Sequence, residues 1–234
     1  MKWSANFKGG PVRRLRAIIL HRTPAREKDR IVEVFSREEG RLKLLAAGVR
    51  RFTSRRAGHL EPLMESVIVV SASPRGDSIR DARVLHSFPR MREELRRLRV
   101  AYYLANLLRE GTGEHLADPR LYDAVSELLL ALDRPDARVT PLFLFSADIQ
   151  LLRHLGMLPE TSTCGRCRRP LRANTFSFDE KETMFLCRHC RPDAPVAPYL
   201  TDAVKLLRLL ATHPVPPARL RVSAGAASAL PRLT

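Results

Sequence analysis

The chain has 234 residues, with 41 Lys and Arg against 25 Asp and Glu, a net charge of 41 − 25 = +16, and 44% hydrophobic residues. That apolar content suffices to bury a core, which excludes a wholly disordered chain. No apolar run approaches the roughly 18 residues that a membrane span needs. The basic start, Met1-Lys2-Trp3-Ser4, leads into no apolar stretch, so the expected location is cytoplasmic and, given the basic charge, nucleoid-associated.

Five short strands are expected first. Val12 to His21 carries the apolar run Ala17-Ile18-Ile19-Leu20, ended by Thr23-Pro24. Arg30 to Phe35 alternates, with Ile31, Glu33 and Phe35 on one face and Val32 and Val34 on the other. Glu38-Glu39-Gly40 turns the chain into a third strand, Arg41 to Ala47. The stretch Gly48 to His59 reads as a basic loop. A fourth strand is expected over Leu63 to Ser71, a turn over Ser73-Pro74-Arg75-Gly76-Asp77, and a fifth strand from Ile79 to His86. Five strands in this length of chain favour a small closed barrel of OB type, here residues 1–86, the commonest five-stranded barrel that binds polyanions.

From Phe88 the period becomes helical. Leu95, Leu98, Tyr102 and Ala105 form the expected buried stripe, with Arg92, Arg96, Arg97 and Arg99 largely off it, and Gly111 and Gly113 end the helix. A second helix follows Asp118-Pro119 and stops near Asp133. A third, Pro141 to Leu155, is apolar on most sides and expected to be buried, and Gly156 stops it. A last helix spans Thr201 to Thr212, and the small, Ala-rich tail from Val222 predicts no element. The fold class is therefore α+β and multi-domain, with a helical domain over 87–158 and 196–234 interrupted by a cysteine-bearing insert at 159–195.

All four cysteines fall in that insert as two pairs, Cys164-Gly165-Arg166-Cys167 and Cys187-Arg188-His189-Cys190. A two-residue gap lets two thiolates from one turn reach the same ion, and the separation between the pairs is that of a four-cysteine zinc site. Four protein ligands leave no open position, so the expected cofactor is one structural zinc ion. His189 is expected on the surface of its turn. Phe176-Ser177-Phe178 and Phe185 frame a hairpin between the pairs with little core of its own.

No catalytic constellation assembles, so no enzyme activity and no small-molecule substrate are expected. His59-Leu60-Glu61 matches half of a zinc deaminase signature whose other half is missing, and Gly111-Thr112-Gly113 is too short for a nucleotide loop.

The charge instead points to a polyanion. Residues 1–60 hold 16 Lys and Arg against 5 Asp and Glu, more than half of the total excess. The candidate nucleic-acid contacts are Arg22, Arg30, Arg37, Arg41, Lys43, Arg50, Arg51, Arg55 and Arg56 on the barrel, with Arg92, Arg96 and Arg99 on the first helix. Arginine forks engage phosphate bidentately. Stacking aromatics are few, with Trp3, Phe35 and Phe52 as candidates and Phe35 better placed as core. Binding to single and double strands is thus expected to be phosphate-dominated and salt-sensitive.

Several segments occur in a recognisable order: Ala17-Ile18-Ile19-Leu20-His21-Arg22, Glu27 and Asp29 before a strand, Glu38-Glu39-Gly40, Ala46-Ala47-Gly48-Val49-Arg50-Arg51, and Leu60-Glu61-Pro62-Leu63. Ser87-Phe88, Ala101-Tyr102-Tyr103 and Leu152 to Pro159 continue the series up to the first cysteine pair. Together they resemble the bacterial RecO family over about residues 12–213. The resemblance implies an OB-fold domain, a helical domain and a zinc-ribbon-like insert. It further implies a DNA repair and recombination mediator that anneals complementary strands and works with RecR and with single-stranded DNA-binding protein. An RNA-binding or ribosome-associated OB/zinc protein is the alternative, since its charge and fold would look the same.

Overall fold

The computed structural model describes residues 12–50, 54, 56–72, 76–195, 197–216, 220–226 and 228. Trp3, Arg51, Phe52, Arg55, the turn residues Ser73, Pro74 and Arg75, and most of the Ala-rich tail lie outside them. The chain divides into two compact units, Met1–Arg138 and Val139–Thr234, and the division falls inside the stretch expected as one helical domain.

In the first unit, period-two apolar patterning produces β1 (Val12–Pro24), β2 (Arg30–Ser36), β3 (Gly40–Ala46), β4 (Glu65–Ser71) and β5 (Ser78–His86). They close in the order β1-β2-β3-β5-β4, every ladder antiparallel except the single parallel pairing of Leu45 with Ser78 between β3 and β5. This is the expected OB-type barrel. Its interior is filled by alternate residues of each strand, including Leu15, Ala17 and Ile19, Val32 and Val34, Leu42 and Leu44, and Ile68 and Val70. Register shifts in β1 at Ile19/His21, and in β4–β5 at Glu65/Ser66 and Val69/Val70, mark bulges that help a sheet of so few strands curl shut.

The barrel wall is buried on its outer side too. Ile18, Leu20 and Phe35 face outward yet are almost wholly covered, because α1 (Pro89–Glu93), α2 (Leu95–Gly111) and α3 (Pro119–Leu132) belong to the same unit. Phe35 stacks on Tyr122 of α3, with ring centroids 6.2 Å apart. The proline after Asp118 starts α3 as expected, and the Asp118 carboxylate accepts from the Leu121 amide at 2.9 Å.

The buried stripe of α2 differs from the one expected. Leu95 and Tyr102 are 62% and 45% exposed, and the covered face is Arg97, Val100, Ala101, Leu104, Ala105 and Leu108. The helix is turned by about 100°, one residue's worth. The cause is Arg97, whose guanidinium donates to the carbonyls of Leu132 (3.0 Å) and Arg134 (2.6 Å) at the end of α3 and to Glu94 (2.5 Å). The Leu132 carbonyl, in the last turn of α3, has no helical amide of its own, and the Arg134 carbonyl accepts from one backbone amide, that of Ala137 at 3.2 Å, so a charged residue occupies a core position that hydrophobic periodicity alone assigns elsewhere.

The second unit holds α4 (Pro141–His154), β6 (Phe176–Asp179), β7 (Met184–Cys187) and α5 (Pro198–Thr212), the last starting three residues before the expected Thr201. Leu155, expected to be buried, is 43% exposed, since Gly156 in the left-handed region (φ +69°) turns the chain away there. Ile149 of α4 packs on Leu206, Leu207 and Leu210 of α5, and the Gln150 amide donates to the Leu210 carbonyl at 2.5 Å. On another part of α5, Leu200, Ala203 and Val204 pack against Phe176 and Phe185 of the hairpin, joined by Val222 and Ala226 of the tail. Among the described residues no helix is long and apolar enough to cross a membrane.

Candidate metal centre and nucleic-acid interface

Each cysteine pair sits on a tight turn held by backbone hydrogen bonds. The Cys164 amide donates to the Arg169 carbonyl (2.8 Å) and Gly165 to Phe185 (2.9 Å), while the Arg168 amide returns to the Cys164 carbonyl (2.9 Å) with Arg168 in the left-handed region, φ +60°. A Cβ at Gly165 would lie 2.7–2.9 Å from the Met184 side chain, so only glycine lets the first turn approach β7 this closely. The second turn leaves the end of β7, where the Cys190 and Arg191 amides both donate to the Cys187 carbonyl (3.0 and 3.1 Å).

The result brings the Sγ atoms of Cys164, Cys167, Cys187 and Cys190 within 4.8 Å of one another, Cys167 and Cys187 at 3.6 Å. A tetrahedral ion with arms of ~2.3 Å sets its ligand sulfurs about 3.8 Å apart, so the four thiols fit one such ion. Burial raises the Cys164 thiol pKa, but backbone amides of Cys167, Cys187 and Arg166 aimed at the sulfur outweigh that and bring it down to about 6. Cys190 moves the other way, pushed up to about 12 by its hydrogen bond with Cys167, burial and the thiols of Cys164 and Cys187. Four thiols this close cannot all ionise without a cation among them. His189 is exposed and outside the cluster.

The arginines divide by what holds them. Arg22 makes a bidentate pair with Glu61, and Arg37 another with Asp123 of α3, at 2.8 and 2.9 Å. Arg41 bonds Glu33 at 2.9 Å and Glu114 at 3.4 Å, and Lys43 meets Glu114 at 2.6 Å. Arg56 donates to the carbonyls of Ile79 (2.7 Å) and Ala47 (2.8 Å), and Arg92 to those of Ser87 (2.8 Å) and Pro62 (2.6 Å). These six are part of the scaffold. Arg30, half-buried at the start of β2, and the exposed Arg96 and Arg99 of α2 have no side-chain partner among the described residues. Arg51 and Arg55 lie outside the described residues.

Three further cations lie together at one end of the barrel. The Arg50 amide donates to the Lys28 carbonyl (3.1 Å), the Arg50 guanidinium reaches the Arg26 carbonyl (3.4 Å), and the Gly48 amide bonds the Asp29 carboxylate (2.8 Å). These bonds dock the β1–β2 turn on the start of the basic loop, so exposed Arg26, Lys28 and Arg50 share one rim, which also carries exposed Glu27, an acid with no partner among the described residues. Arg26 and Lys28 were not among the residues expected from sequence. Their signal was positional, since the first hairpin loop of an OB barrel is one of its ligand-binding loops.

Two buried carboxylates were also missed, and they fix the helices to the barrel. Glu65, with no exposed surface, accepts from Arg16, His86 and Tyr122 at 2.9 Å each and from Ser126 at 3.0 Å. Burial pushes its carboxyl up, but these four donors outweigh that and hold it below the ordinary carboxylate range, while burial and the Glu65 charge push the Tyr122 phenol up. Glu33 takes Arg41 and Arg109 at 2.9 Å each and is likewise held low against the effect of burial. A lone acid in each of the apolar runs Ile31–Phe35 and Glu65–Val70 was the available clue.

The family models for the N-terminal and C-terminal parts of recombination protein O match residues 12–88 and 92–234. The DNA repair protein RecO of Myxococcus xanthus is 30% identical over 212 residues, covering 86% of this chain and 83% of its own. That of Desulforudis audaxviator is 31% identical over 201 residues (85% and 79%), and that of Dehalococcoides mccartyi strain 195 is 28% identical over 201 residues (86% and 79%). With both halves matched in order on an OB-type barrel and a four-cysteine cluster, the chain belongs to the RecO family of DNA repair and recombination proteins.

Proposed function

We propose that this chain is a non-catalytic recombination mediator. It binds single- and double-stranded DNA at the loop end of its barrel and anneals complementary strands. It acts together with RecR on strands coated by single-stranded DNA-binding protein. The observation that carries the reading is the rim of Arg26, Lys28 and Arg50, exposed and unpaired by acids, at the ligand-binding loops of the fold. Cations there neutralise phosphates of two strands at once, release their counterions and lower the repulsion that opposes pairing. Arg96 and Arg99 on α2, and Arg51 and Arg55 of the basic loop, extend the proposed surface. The scaffold cations Arg22, Arg37, Arg41, Lys43, Arg56 and Arg92 belong to it only where a phosphate displaces their present partners.

Zinc is the ion proposed for the four cysteines. They would hold it in a closed, structural site, and the only chemistry it supplies is to bind four thiolates at once. The first cysteine turn and β7 then stay together, and with them the face that Phe176 and Phe185 present to α5.

The test is annealing of complementary labelled oligonucleotides already coated with single-stranded DNA-binding protein, at low and high salt. Salt-sensitive annealing is expected, and the triple variant Arg26→Gln/Lys28→Gln/Arg50→Gln should reduce the slope of log affinity against log salt by about 2–3. Tight binding without annealing, or a slope that the triple variant leaves unchanged, refutes the mechanism. Stronger binding to RNA than to DNA of equal length would move the assignment to an RNA-binding protein.

A further inference from the structure

In a barrel of this topology the outer face of β2 and β3 ordinarily receives an oligonucleotide. Here the chain covers part of that face itself. The loop joining α2 to α3 runs beside β3, where the His115 amide donates to the Arg41 carbonyl at 3.0 Å and Glu114 forms a parallel bridge with Arg41. The loop backbone comes so near that a Cβ on Gly40 (φ +72°) would stand 2.1 Å from the Leu116 carbonyl oxygen. Arg41 Nε also donates to the Thr112 carbonyl at 3.1 Å.

At the centre of this contact is one carboxylate oxygen. Glu114 Oε1 lies 2.6 Å from Lys43 Nζ and 3.4 Å from Arg41 Nη1. The Lys43 ammonium holds the Glu114 carboxyl below its usual range. An oxyanion shared by a lysine and an arginine on the outer face of a strand, the lysine exposed and the arginine half-buried, has the chemistry of a bound phosphate oxygen. The Lys43 and Glu114 side chains remain 55% and 42% exposed, and exposed ion pairs contribute little to stability, so this contact can be given up. Arg41 itself stays with the fold, because the same Nη1 donates at 2.9 Å to buried Glu33, which Arg109 also clamps, so Lys43 is the cation that the displacement frees most fully.

We propose that Arg41 and Lys43 on the outer face of β3 form a second phosphodiester site, held in the free protein by the Glu114 carboxylate and opened when a nucleic-acid strand displaces it. The proposal rests on the reading that the chain binds DNA. It implies that a single phosphate, which must compete with a tethered carboxylate, binds poorly. A strand anchored at the rim supplies its next phosphates at high local concentration and displaces Glu114.

The experiment uses the full chain and a labelled single-stranded oligonucleotide, with affinity read by fluorescence anisotropy across a salt series. Glu114→Gln keeps the backbone bridge and removes the charge. It should raise affinity about three- to tenfold at low salt and steepen the log–log salt slope by about 1 to 2. Glu110→Gln, an exposed carboxylate of α2 with no partner among the described residues, controls for net charge and should leave the slope unchanged. In a Lys43→Gln background most of the gain from Glu114→Gln should vanish. Equal effects of Glu114→Gln and Glu110→Gln, or a gain that survives Lys43→Gln, overturn the proposal. If the wild-type chain binds with strong salt dependence and Glu114→Gln is neutral, the second site fails while DNA binding at the rim stands. If the wild-type chain does not bind, both fail.

Discussion

Replacing Glu65 by glutamine tests whether the helices are fixed to the barrel as the geometry indicates. Glutamine keeps the shape and one carbonyl oxygen, but its amide group is a donor and faces some of the four donors that now converge on the carboxylate. The bond to Arg16 is charge-assisted, worth about 1.5–3 kcal/mol at most. That figure is discounted because the Arg16 side chain is 47% exposed and can rehydrate. Tyr122 and Ser126 are buried and cannot, and leaving one of their hydroxyls without an acceptor costs about 1–3 kcal/mol. The expected total is about 2–4 kcal/mol, or a melting temperature lower by roughly 5–15 °C. The assay is urea unfolding together with amide hydrogen exchange, with protection lost in β4 and α3 while the amides of residues 139–234 serve as an internal reference. The pH dependence carries a sign. Because the Glu65 carboxyl is held low in the folded chain, its stabilisation is complete above the unfolded glutamate value of about 4.3 and is lost as pH falls through the folded one. The difference between wild type and variant should therefore shrink in acid. A loss under about 0.5 kcal/mol at neutral pH would refute the reasoning.

Two further perturbations separate the parts of the molecule. Stripping metal with a strong chelator, or Cys187→Ser, should release close to one equivalent of zinc and expose the Phe176/Phe185 core to protease, with exchange in residues 12–138 unchanged; less than about half an equivalent in the purified chain sinks the zinc assignment. Gly40→Ala should cost about 1–3 kcal/mol and loosen the loop on β3, since the residue has φ +72° and its new Cβ would meet the Leu116 carbonyl. A variant that melts like wild type and keeps the His115 amide protected would contradict that close approach.

The barrel was legible because a strand writes its interior into alternate residues, and Leu42 and Leu44 of β3 are as clear in sequence as in space. The four-cysteine cluster was legible for a similar reason: a two-residue gap is a local constraint, and local spacing survives translation into structure. The outer wall of the barrel was not. Phe35 was placed as core from its sequence and is fully buried, but its partner was not legible, since Tyr122 of α3, which makes that side a second interior, lies far along the chain. The rotation of α2 has the same origin, since Arg97 reaches carbonyls at the end of another helix, and no periodicity within α2 contains that fact.

The arginines carry this argument furthest. Whether a guanidinium is scaffold or ligand depends on its partner, and Arg37 finds Asp123 across 86 residues while Arg22 finds Glu61 across 39. No local pattern distinguishes them from Arg50, which meets no acid. The total is nevertheless informative where the individuals are not. If every one of the 25 acids held a separate cation, 41 − 25 = 16 basic residues would still be uncompensated. Where two cations share one acid, as Arg41 and Arg109 share Glu33, each carboxylate holds more than one guanidinium and the overall excess of charge is unchanged. An excess of positive charge thus remains however the pairs are drawn, and it suits the polyanionic partner proposed above. Which cations could meet such a partner is decided by the fold, and here Arg26, Lys28 and Arg50 stand together on one rim with no acid bonded to them among the described residues.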